Sequence, residues 1–409
     1  MEEIKIKHIT KIEGHAKLKV KFDRKTKKVK VCSLDVFESP RYFESMIKGR
    51  SYKEVPYLAG RICGICNVAH LIGSTLAVEK ALGIEVSEQT RALRELLVLG
   101  ALFHSHVLHL YFLALPDYLG YSSALDMKGK DSNHVKRCLR IKEVGNEIVR
   151  SVGGRSIHPV TSVIGGFTRL PGHGELKKLK NKLLNVRKDA EKTVELFKTL
   201  NFPEVEVKEL LALNQGSFLE GNVASLSGVV FEPEEYKKYL KEKIVSRSTA
   251  KHVTFKGKSF MVGPLARVNV RNMLNGVKKN VFYANLARAM EVTQCIDRCI
   301  EILDKLEIKN ERIKKPKKLS GEGISITEAP RGLLIHHYKI RRGKVTYVNI
   351  IPPTTMNVKN MEDAIKQFIP KIINLSNERI RNEIEKLIRA YDPCFSCSAH
   401  FLELELVKK

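Results

Sequence analysis

Two short stretches at opposite ends of the chain decide how it must fold: residues 61–66 read RICGIC and residues 392–397 read DPCFSC. Each contains a C-x-x-C pair, formed by Cys63 with Cys66 and by Cys394 with Cys397. Four thiolates that converge on one point make a soft, electron-rich site suited to zinc, nickel or iron. Structural zinc ribbons usually place both pairs close together in sequence, so the wide separation favours a site at the centre of a large fold. The spacing of the cysteines alone does not exclude a structural zinc site.

The composition is that of a globular protein with a large core. The 409 residues are 43% hydrophobic and 29% charged, which excludes wholesale disorder. The 72 Lys and Arg against 45 Asp and Glu give a net charge of +27, which suits nucleic acid, an anionic membrane surface or an acidic partner protein. Eight cysteines are too few for a disulfide-stapled scaffold, and the N-terminus lacks the apolar segment of a secretion signal. We therefore expect a cytoplasmic protein.

One apolar stretch requires a check for a membrane span. Residues 96–115 carry no formal charge and are long enough to cross a bilayer. The histidines within this stretch, among them His104, His106 and His109, would be costly facing lipid. The stretch therefore predicts a buried helix in the middle of a helical bundle and no membrane span. Pro116 is expected to stop this helix.

The pattern of apolar residues predicts an α+β protein that is mostly helical, with a central helical bundle around the buried metal site and small peripheral β-sheets. Residues 1–40 form a β-rich segment, and residues 41–202 a helical core with the first cysteine pair. Residues 203–275 read as a mixed α/β insertion. Residues 276–400 continue the helical core, with a hairpin and the second cysteine pair, and residues 401–409 form a C-terminal extension.

Individual elements follow from local patterns. Residues 176–197 place an apolar side chain at every third or fourth position, which predicts an amphipathic helix with a lysine-rich outer face. Residues 61–82 are expected to enter a helix, and residues 332–351 to form a hairpin. Residues 361–390 predict a helix that is interrupted at Pro370.

Further motifs flank the two cysteine pairs. They read KIEGH at residues 11–15, RYFE at 41–44, EAPRG at 328–332 and PTTMN at 353–357. Together with RICGIC and DPCFSC, these motifs make the chain resemble the large, catalytic subunit of nickel–iron hydrogenases, most closely the cytoplasmic sulfhydrogenase and viologen-reducing types. The resemblance implies reversible heterolytic cleavage of H2 into protons and electrons.

The resemblance also implies a nickel–iron pair held by the four cysteines. Cys63 and Cys394 are expected to be terminal nickel ligands, while Cys66 and Cys397 bridge nickel to iron. The iron is expected to carry cyanide and carbon monoxide. Cys394 is expected to accept the proton when H2 is split, and Glu13 to relay it.

Other motif residues are expected to surround the metal pair. Arg331, Asp117 and Asp392 correspond to a polar canopy, in which the guanidinium is held between the two carboxylates. Pro330, Arg331 and Thr354 correspond to residues that contact the diatomic ligands of the iron.

The resemblance implies a second metal and a processing step near the C-terminus. Glu44 and His400 correspond to ligands of a magnesium ion, which prefers oxygen ligands. A dedicated maturation protease is expected to remove residues 401–409 once nickel is loaded, so that the mature chain ends at His400.

The cysteines outside the two pairs are too few to bind a relay of iron–sulfur clusters. Electrons must therefore leave through another polypeptide, the iron–sulfur small subunit, and through further electron-transfer subunits. No nucleic-acid partner is expected. Two alternatives stay open: a zinc-stabilised nucleic-acid-binding protein, given the +27 charge, and a quinone-reductase subunit of the same fold, although such subunits have generally lost the four cysteines.

Overall fold

The computed structural model describes residues 2–214, 216–271 and 277–399. Within them the helices are α1 Phe43–Ile47, α2 Val55–Ala59, α3 Asn67–Leu82, α4 Glu88–Leu108, α5 Leu115–Leu119, α6 Ser132–Gly153, α7 His173–Lys198, α8 Tyr236–Tyr239, α9 Pro264–Val270, α10 Ala284–Lys305, α11 Pro353–Ile372, α12 Asn377–Tyr391 and α13 Phe395–Ser398. The strands are β1 Glu2–Ile6, β2 Ala16–Asp23, β3 Lys28–Val36, β4 Ser162–Val163, β5 Gly166–Phe167, β6 Leu211–Leu213, β7 Val223–Ser225, β8 Val230–Phe231, β9 Leu240–Lys243, β10 His252–Phe255, β11 Gly321–Ala329, β12 Gly332–Arg341 and β13 Lys344–Ile351. The fold is mostly helical with small antiparallel sheets, which confirms the predicted fold class.

Four long helices, α4, α6, α7 and α10, pack together as the central bundle. Leu97, Ile148, Leu183 and Ile296, one from each helix, have no solvent exposure and belong to one apolar cluster. Burial of this cluster supplies the main driving force for folding of the bundle. The helix predicted from residues 176–197 is confirmed as α7.

The central helix continues further than predicted. After α4 the chain passes through a π-helical turn, His109–Ala114, into α5. Pro116 lies in the first turn of α5, where a proline without an N–H is tolerated. The prediction that Pro116 stops the helix is therefore wrong; the helix ends at Gly120, whose φ is 79°.

The segment Glu88–Leu119 is long and apolar enough to cross a membrane by composition alone. Inside the protein, 78% of its most apolar window is buried against other elements. This burial agrees with the prediction of a core helix.

Two three-stranded antiparallel sheets carry parts of the site, one ordered β1-β2-β3 and the other β11-β12-β13. β12 and β13 form the predicted hairpin. β11 and β12 meet at a tight turn in which Ala329 pairs with Gly332. Helix α3 packs across these strands at Gly323, where a Cβ would lie 2.1 Å from the carbonyl oxygen of Ala77. The close approach fixes α3, and with it the first cysteine pair, against the sheet.

The break in the last long helical region lies three residues later than predicted. Pro370 is inside α11, which continues to Ile372. The following helix begins after Ser376, whose hydroxyl accepts a hydrogen bond from the backbone N–H of Arg379. The interruption is therefore set by this N-cap and not by the proline.

Candidate metal centre

The sulfurs of Cys63, Cys66, Cys394 and Cys397 all lie within 4.8 Å of one another and are buried. The Sγ atoms of Cys63 and Cys394 are 3.5 Å apart, and those of Cys66 and Cys397 are 3.3 Å apart. Both ends of the chain therefore meet at one point. In the part of the chain that the structure describes, no other group of three or more His, Cys, Asp or Glu side chains is arranged to hold a metal ion.

The first cysteine pair lies in a turn between α2 and α3. The predicted helix over residues 61–82 begins only at Asn67, because residues 61–66 fold around the sulfur of Cys63. That sulfur accepts hydrogen bonds from the backbone N–H groups of Ile65 and Cys66, each at 3.3 Å. Backbone donors aimed at sulfur stabilise negative charge on it, as a metal ligand requires.

The second cysteine pair flanks the short helix α13. The backbone N–H of Cys394 donates to Oγ1 of Thr354 at 2.9 Å, which ties the pair to the first turn of α11. The backbone N–H of Phe395 donates to the carbonyl oxygen of Glu13 at 2.9 Å. The KIEGH segment is thus joined to the second motif through the backbone.

The Glu13 side chain reaches the metal-ligand cluster. Its Oε2 atom lies 2.9 Å from Sγ of Cys394 and accepts from the backbone N–H of Ser396 at 3.2 Å. The Ser396 hydroxyl also donates to this carboxylate. The structure therefore brings Glu13 and Cys394 together, as the motif implies.

Burial and hydrogen bonding shift the pKa values of three thiols in the cluster in different directions. Burial raises the pKa of Cys394 and of Cys397 well above the ordinary thiol value. Hydrogen bonds from Cys394 and Cys397 hold the pKa of Cys66 well below that value. The cluster thus contains sulfurs that favour the protonated form and a sulfur that favours the thiolate.

The predicted canopy is only partly assembled. Nη2 of Arg331 lies 2.9 Å from Oδ1 of Asp392, and Nε donates to the Asp392 carbonyl oxygen at 2.7 Å. Asp117 instead accepts from Nε of Arg389 at 2.6 Å and pairs with Lys11. The expectation that one guanidinium lies between both carboxylates is corrected: Arg331 pairs with Asp392, whereas Asp117 pairs with the buried Arg389 and with Lys11.

Arg267 supports the site, although it was not among the predicted site residues. Its only signal in the sequence is that it is a single arginine in an apolar stretch. Arg267 has no solvent exposure; it forms ion pairs with Glu291 and Glu328. It also donates to the carbonyl oxygens of Ala329, at 3.1 Å, and Pro330, at 3.2 Å. A buried arginine needs such partners for its donors, and here they fix the turn that carries Pro330 and Arg331.

Of the two predicted magnesium ligands, Glu44 lies within the described residues. Oε1 of Glu44 accepts from the backbone N–H of Ile350 at 2.7 Å. His400 and residues 401–409 lie outside the described residues, so the second ligand and the C-terminal extension stay predictions.

The four sulfurs fit a nickel–iron pair. They are soft donors, they are buried, and they lie close enough together for shared metal ligation. In addition, Nη1 of Arg331 is buried and has no hydrogen-bond partner among the described residues, so it keeps a donor for a group bound beside the sulfurs.

Comparisons with known proteins agree with this centre. The family model for nickel-dependent hydrogenase matches residues 41–146 and 276–400. The alpha subunit of sulfhydrogenase 1 from Pyrococcus furiosus is 37% identical, with 98% of each chain covered. The alpha subunit of sulfhydrogenase 2 from the same organism is 36% identical, over 98% of this chain and 100% of that protein.

Solved structures show the same fold. An NAD+-reducing [NiFe]-hydrogenase in the H2-reduced state has a TM-score of 0.86 and 25% identity, and covers 98% of this chain and 100% of its own. A [NiFeSe] hydrogenase of Desulfovibrio vulgaris Hildenborough in the reduced state has a TM-score of 0.82 and 23% identity, over 98% of this chain and 100% of its own. Neither the nucleic-acid-binding alternative nor the quinone-reductase alternative finds support. The chain belongs to the nickel-dependent hydrogenase family, as a large catalytic subunit.

Proposed function

We propose that this chain carries out the reversible heterolytic cleavage of H2 at a nickel–iron pair bound by its four clustered cysteines. The observation that carries the proposal is the meeting of four buried thiols, two from each end of the chain, within 4.8 Å. Bound there, the metal pair would supply the place at which H2 binds and electrons are taken up.

The resemblance to nickel–iron hydrogenases supports two kinds of ligand among the four cysteines. The distances from Cys63 to Cys394 and from Cys66 to Cys397 join one sulfur from each motif, and the sulfurs of Cys394 and Cys397 within the second motif are 2.7 Å apart. We assign the first pair as terminal nickel ligands and the second as bridges between nickel and iron.

The chain's own residues handle the proton. Cys394 is the proposed proton acceptor, and the Glu13 carboxylate, 2.9 Å from its sulfur, is the next one. Ser396 holds that carboxylate through its backbone N–H and its hydroxyl. A positioned carboxylate beside the thiol is what a proton relay requires.

The cyanide and carbon monoxide ligands of the iron would be surrounded by Pro330, Arg331 and Thr354. The Thr354 hydroxyl already accepts from Cys394, so its own proton is available to a cyanide nitrogen. Arg331 is oriented by Asp392, and its Nη1 donor is not used within the described residues. Arg267 fixes the carbonyl of Pro330, which precedes Arg331.

We extend the proposal to the C-terminal region. Glu44 and His400 would bind magnesium, and a maturation protease would remove residues 401–409. Mass spectrometry of active enzyme should then find a chain that ends at His400; a chain that retains Lys409 would contradict processing.

The electrons leave through partner subunits. Both sulfhydrogenase relatives are alpha subunits, a name that implies further chains in their assemblies. The cysteines outside the centre are buried and separate from it: Cys32, Cys138, Cys295 and Cys299. We therefore propose that the partners are an iron–sulfur small subunit with further electron-transfer subunits, in the cytoplasm, and that the assembly is of the sulfhydrogenase or viologen-reducing type.

Metal analysis and infrared spectroscopy of the purified assembly test the proposal. We expect about one nickel and one iron per chain, with infrared bands of cyanide and carbon monoxide, and loss of H2 uptake in Cys394→Ser. The matched control is Cys138→Ser, a buried cysteine outside the cluster, which should keep both metals and activity. Zinc as the metal present, without nickel, would contradict the proposal.

A further inference from the structure

A long loop between α10 and β11 crosses the surface of the protein without forming a helix or a strand. It comprises residues 306–320, which we name the basic loop, and reads LEIKNERIKKPKKLS. Connections of this length inside a compact domain are uncommon, and they are usually either functional or disordered. Contacts along the backbone give the basic loop one defined course.

Hydrogen bonds fix the backbone of the basic loop to the helical core and to the β4–β5 turn. The backbone N–H of Lys309 donates to Oε1 of Gln89 at 2.6 Å, and the Lys309 carbonyl oxygen accepts from Nε2 of the same glutamine at 2.9 Å. The backbone N–H of Lys314 donates to the carbonyl oxygen of Gly165 at 2.9 Å. A Cβ at Gly165 would lie 2.2 Å from the Lys314 carbonyl oxygen, so only a glycine permits this approach. The backbone is held against the protein, and the charged side chains remain on the outside.

These side chains form a cluster of exposed positive charge. Residues 312–318 read RIKKPKK, with five cations and no acidic residue. All five cations are exposed. Lys317 forms an ion pair with Glu85. The cations that form no ion pair within residues 2–214, 216–271 and 277–399 are Arg312, Lys314, Lys315 and Lys318.

The turn between β12 and β13 continues the positive surface. The backbone N–H of Gly343 donates to the carbonyl oxygen of Leu319 at 2.7 Å, and that of Arg342 donates to Oγ of Ser320 at 2.9 Å. Arg341 and Arg342 are exposed and form no ion pair in the part of the chain that the structure describes. Like charges held on a fixed backbone repel one another, and a partner of opposite charge relieves that repulsion.

Two exposed apolar side chains lie among these charges. Ile313 is 44% exposed and Leu319 is 54% exposed. Protein interfaces combine apolar anchors with a polar rim, whereas binders of single-stranded nucleic acid and of membrane surfaces commonly use exposed aromatic rings. The basic loop contains no Phe, Tyr or Trp. An acidic protein surface therefore fits it better than nucleic acid or lipid.

We propose that the basic loop, together with the adjoining β12–β13 turn, is the docking surface for a partner subunit that presents a carboxylate-rich face. The proposal rests on the proposed function only in that the chain works with partner subunits. The fixed backbone reduces the conformational entropy lost on docking, and the charges speed the encounter of the two chains. No residue of the basic loop belongs to the cysteine cluster, so its role is in assembly.

Carbodiimide cross-linking of the purified assembly, read by mass spectrometry, tests the location. This reagent joins lysine amines directly to carboxylates in contact with them. Peptides that contain Lys314, Lys315 or Lys318 should therefore be joined to aspartate or glutamate of a partner subunit. Cross-links to the partner that involve only lysines elsewhere, such as Lys177 and Lys178 on α7, would overturn the proposal.

Charge reversal tests the contribution of the basic loop to binding. The double variant Lys314→Glu/Lys315→Glu should release the partner subunit on dilution at a concentration about tenfold higher than the parent assembly does, measured by mass photometry at fixed salt. Raising the salt should weaken the parent more than the variant, because screening acts on charges that the variant has lost. The matched control is Lys177→Glu/Lys178→Glu, an equal change at exposed lysines of α7, which should behave as the parent.

The remaining outcomes separate this proposal from its alternatives. Equal release in the two double variants would overturn it, as would an unchanged release together with weaker binding of RNA or of phosphatidylserine vesicles by the loop variant. Nickel content and H2 uptake of the loop variant, measured before dilution, should match those of the parent. Absence of nickel from the parent would contradict the proposed function, whereas cross-links between the basic loop and the partner would still stand.

Discussion

Glu13 reaches Cys394 because of the residue that follows it. Gly14 has a φ of +81°, and a Cβ at this position would lie 2.7 Å from the backbone nitrogen of Ser396. A side chain would be strained in this backbone conformation and would push the two segments apart. The glycine of KIEGH therefore sets the 2.9 Å separation between carboxylate and thiol on which the proton relay depends.

The variant Glu13→Gln should retain nickel and iron but lose proton relay. Glutamine preserves the shape of the side chain but cannot act as a carboxylate acceptor, so we expect H2 uptake and H/D exchange to fall by about 100-fold or more. Both rates are measured on purified assembly with an artificial electron acceptor. Glu38→Gln is the control, because Glu38 is a half-buried carboxylate whose Oε2 accepts from the backbone N–H of His15. Unchanged exchange in Glu13→Gln would show that protons leave by another route.

The sequence motifs predict which residues meet at the site, but they do not predict every ion pair that these residues form. The four cysteines and Glu13 come together as expected because their neighbours in sequence tie them to one another through the backbone. Asp117 pairs with Lys11 of the KIEGH motif, but it also pairs with Arg389, which no motif contains and which α12 brings in from a distant part of the chain. Pairing between two elements of this kind is decided by packing, which a local pattern does not encode.

At the scale of elements, α4 and the turn after it carry histidines that are buried in the neutral form. Burial lowers the pKa of His106 to about 4 and that of His109 to about 3. In the unfolded chain these groups bind protons below a pH of about 6.5. Because the unfolded state then binds more protons than the folded state, acidification must favour unfolding.

We therefore expect stability to fall as the pH decreases from 6.5 to 4, by about 3 kcal/mol for each of these histidines. Urea unfolding midpoints measured across this range should drop less steeply in His106→Gln and in His109→Gln than in the parent. His173→Gln, at an exposed site, should follow the parent. An identical pH dependence in all variants would exclude buried histidines as the cause.

The close contact between α3 and β11 allows a second prediction about how packing between elements contributes to stability. A Cβ at Gly323 would lie 2.1 Å from the Ala77 carbonyl oxygen, and backbone on both sides leaves little room to adjust. Gly323→Ala should therefore destabilise the protein by about 3 kcal/mol, measured by urea unfolding. Gly174→Ala, which meets nothing within 4 Å, should leave stability almost unchanged. Equal midpoints for the two variants would show that α3 and β11 can separate at little cost.

Periodicity predicted the long helices better than their ends. The apolar repeat of residues 176–197 suffices for α7 because one face of it is buried along its length. The error at Pro116 has a local physical reason, because Pro116 lies in the first turn of α5 after a π-helical turn, whereas Pro370 lies inside α11, which continues for two more residues. The first turn of a helix has N–H groups without an intrahelical partner, so the missing N–H of Pro116 costs no hydrogen bond there.

At the scale of the whole molecule, one cluster joins the N-terminal and C-terminal parts of the fold. α3 brings Cys63 and Cys66 against the sheet of β11, β12 and β13, while α12 and α13 deliver the second pair. Metal bound between them would connect segments that are far apart in sequence. Such a centre forms only in the folded state, so its binding energy adds to folding stability.

Loss of the metals should therefore loosen the whole fold as well as abolish activity. A ligand present at a thousandfold excess over its dissociation constant adds about 4 kcal/mol to stability, so chain purified from nickel-depleted cells should unfold at a clearly lower temperature than loaded chain. Hydrogen exchange should rise first in residues 392–399, because that segment is tied to residues 61–66 through the cluster. In Cys397→Ser the difference between loaded and depleted protein should vanish, whereas Cys138→Ser, at an equally buried thiol outside the cluster, should retain it. Equal unfolding temperatures with and without nickel in the parent would mean that packing alone holds the two ends together, and that the metals contribute chemistry without contributing stability.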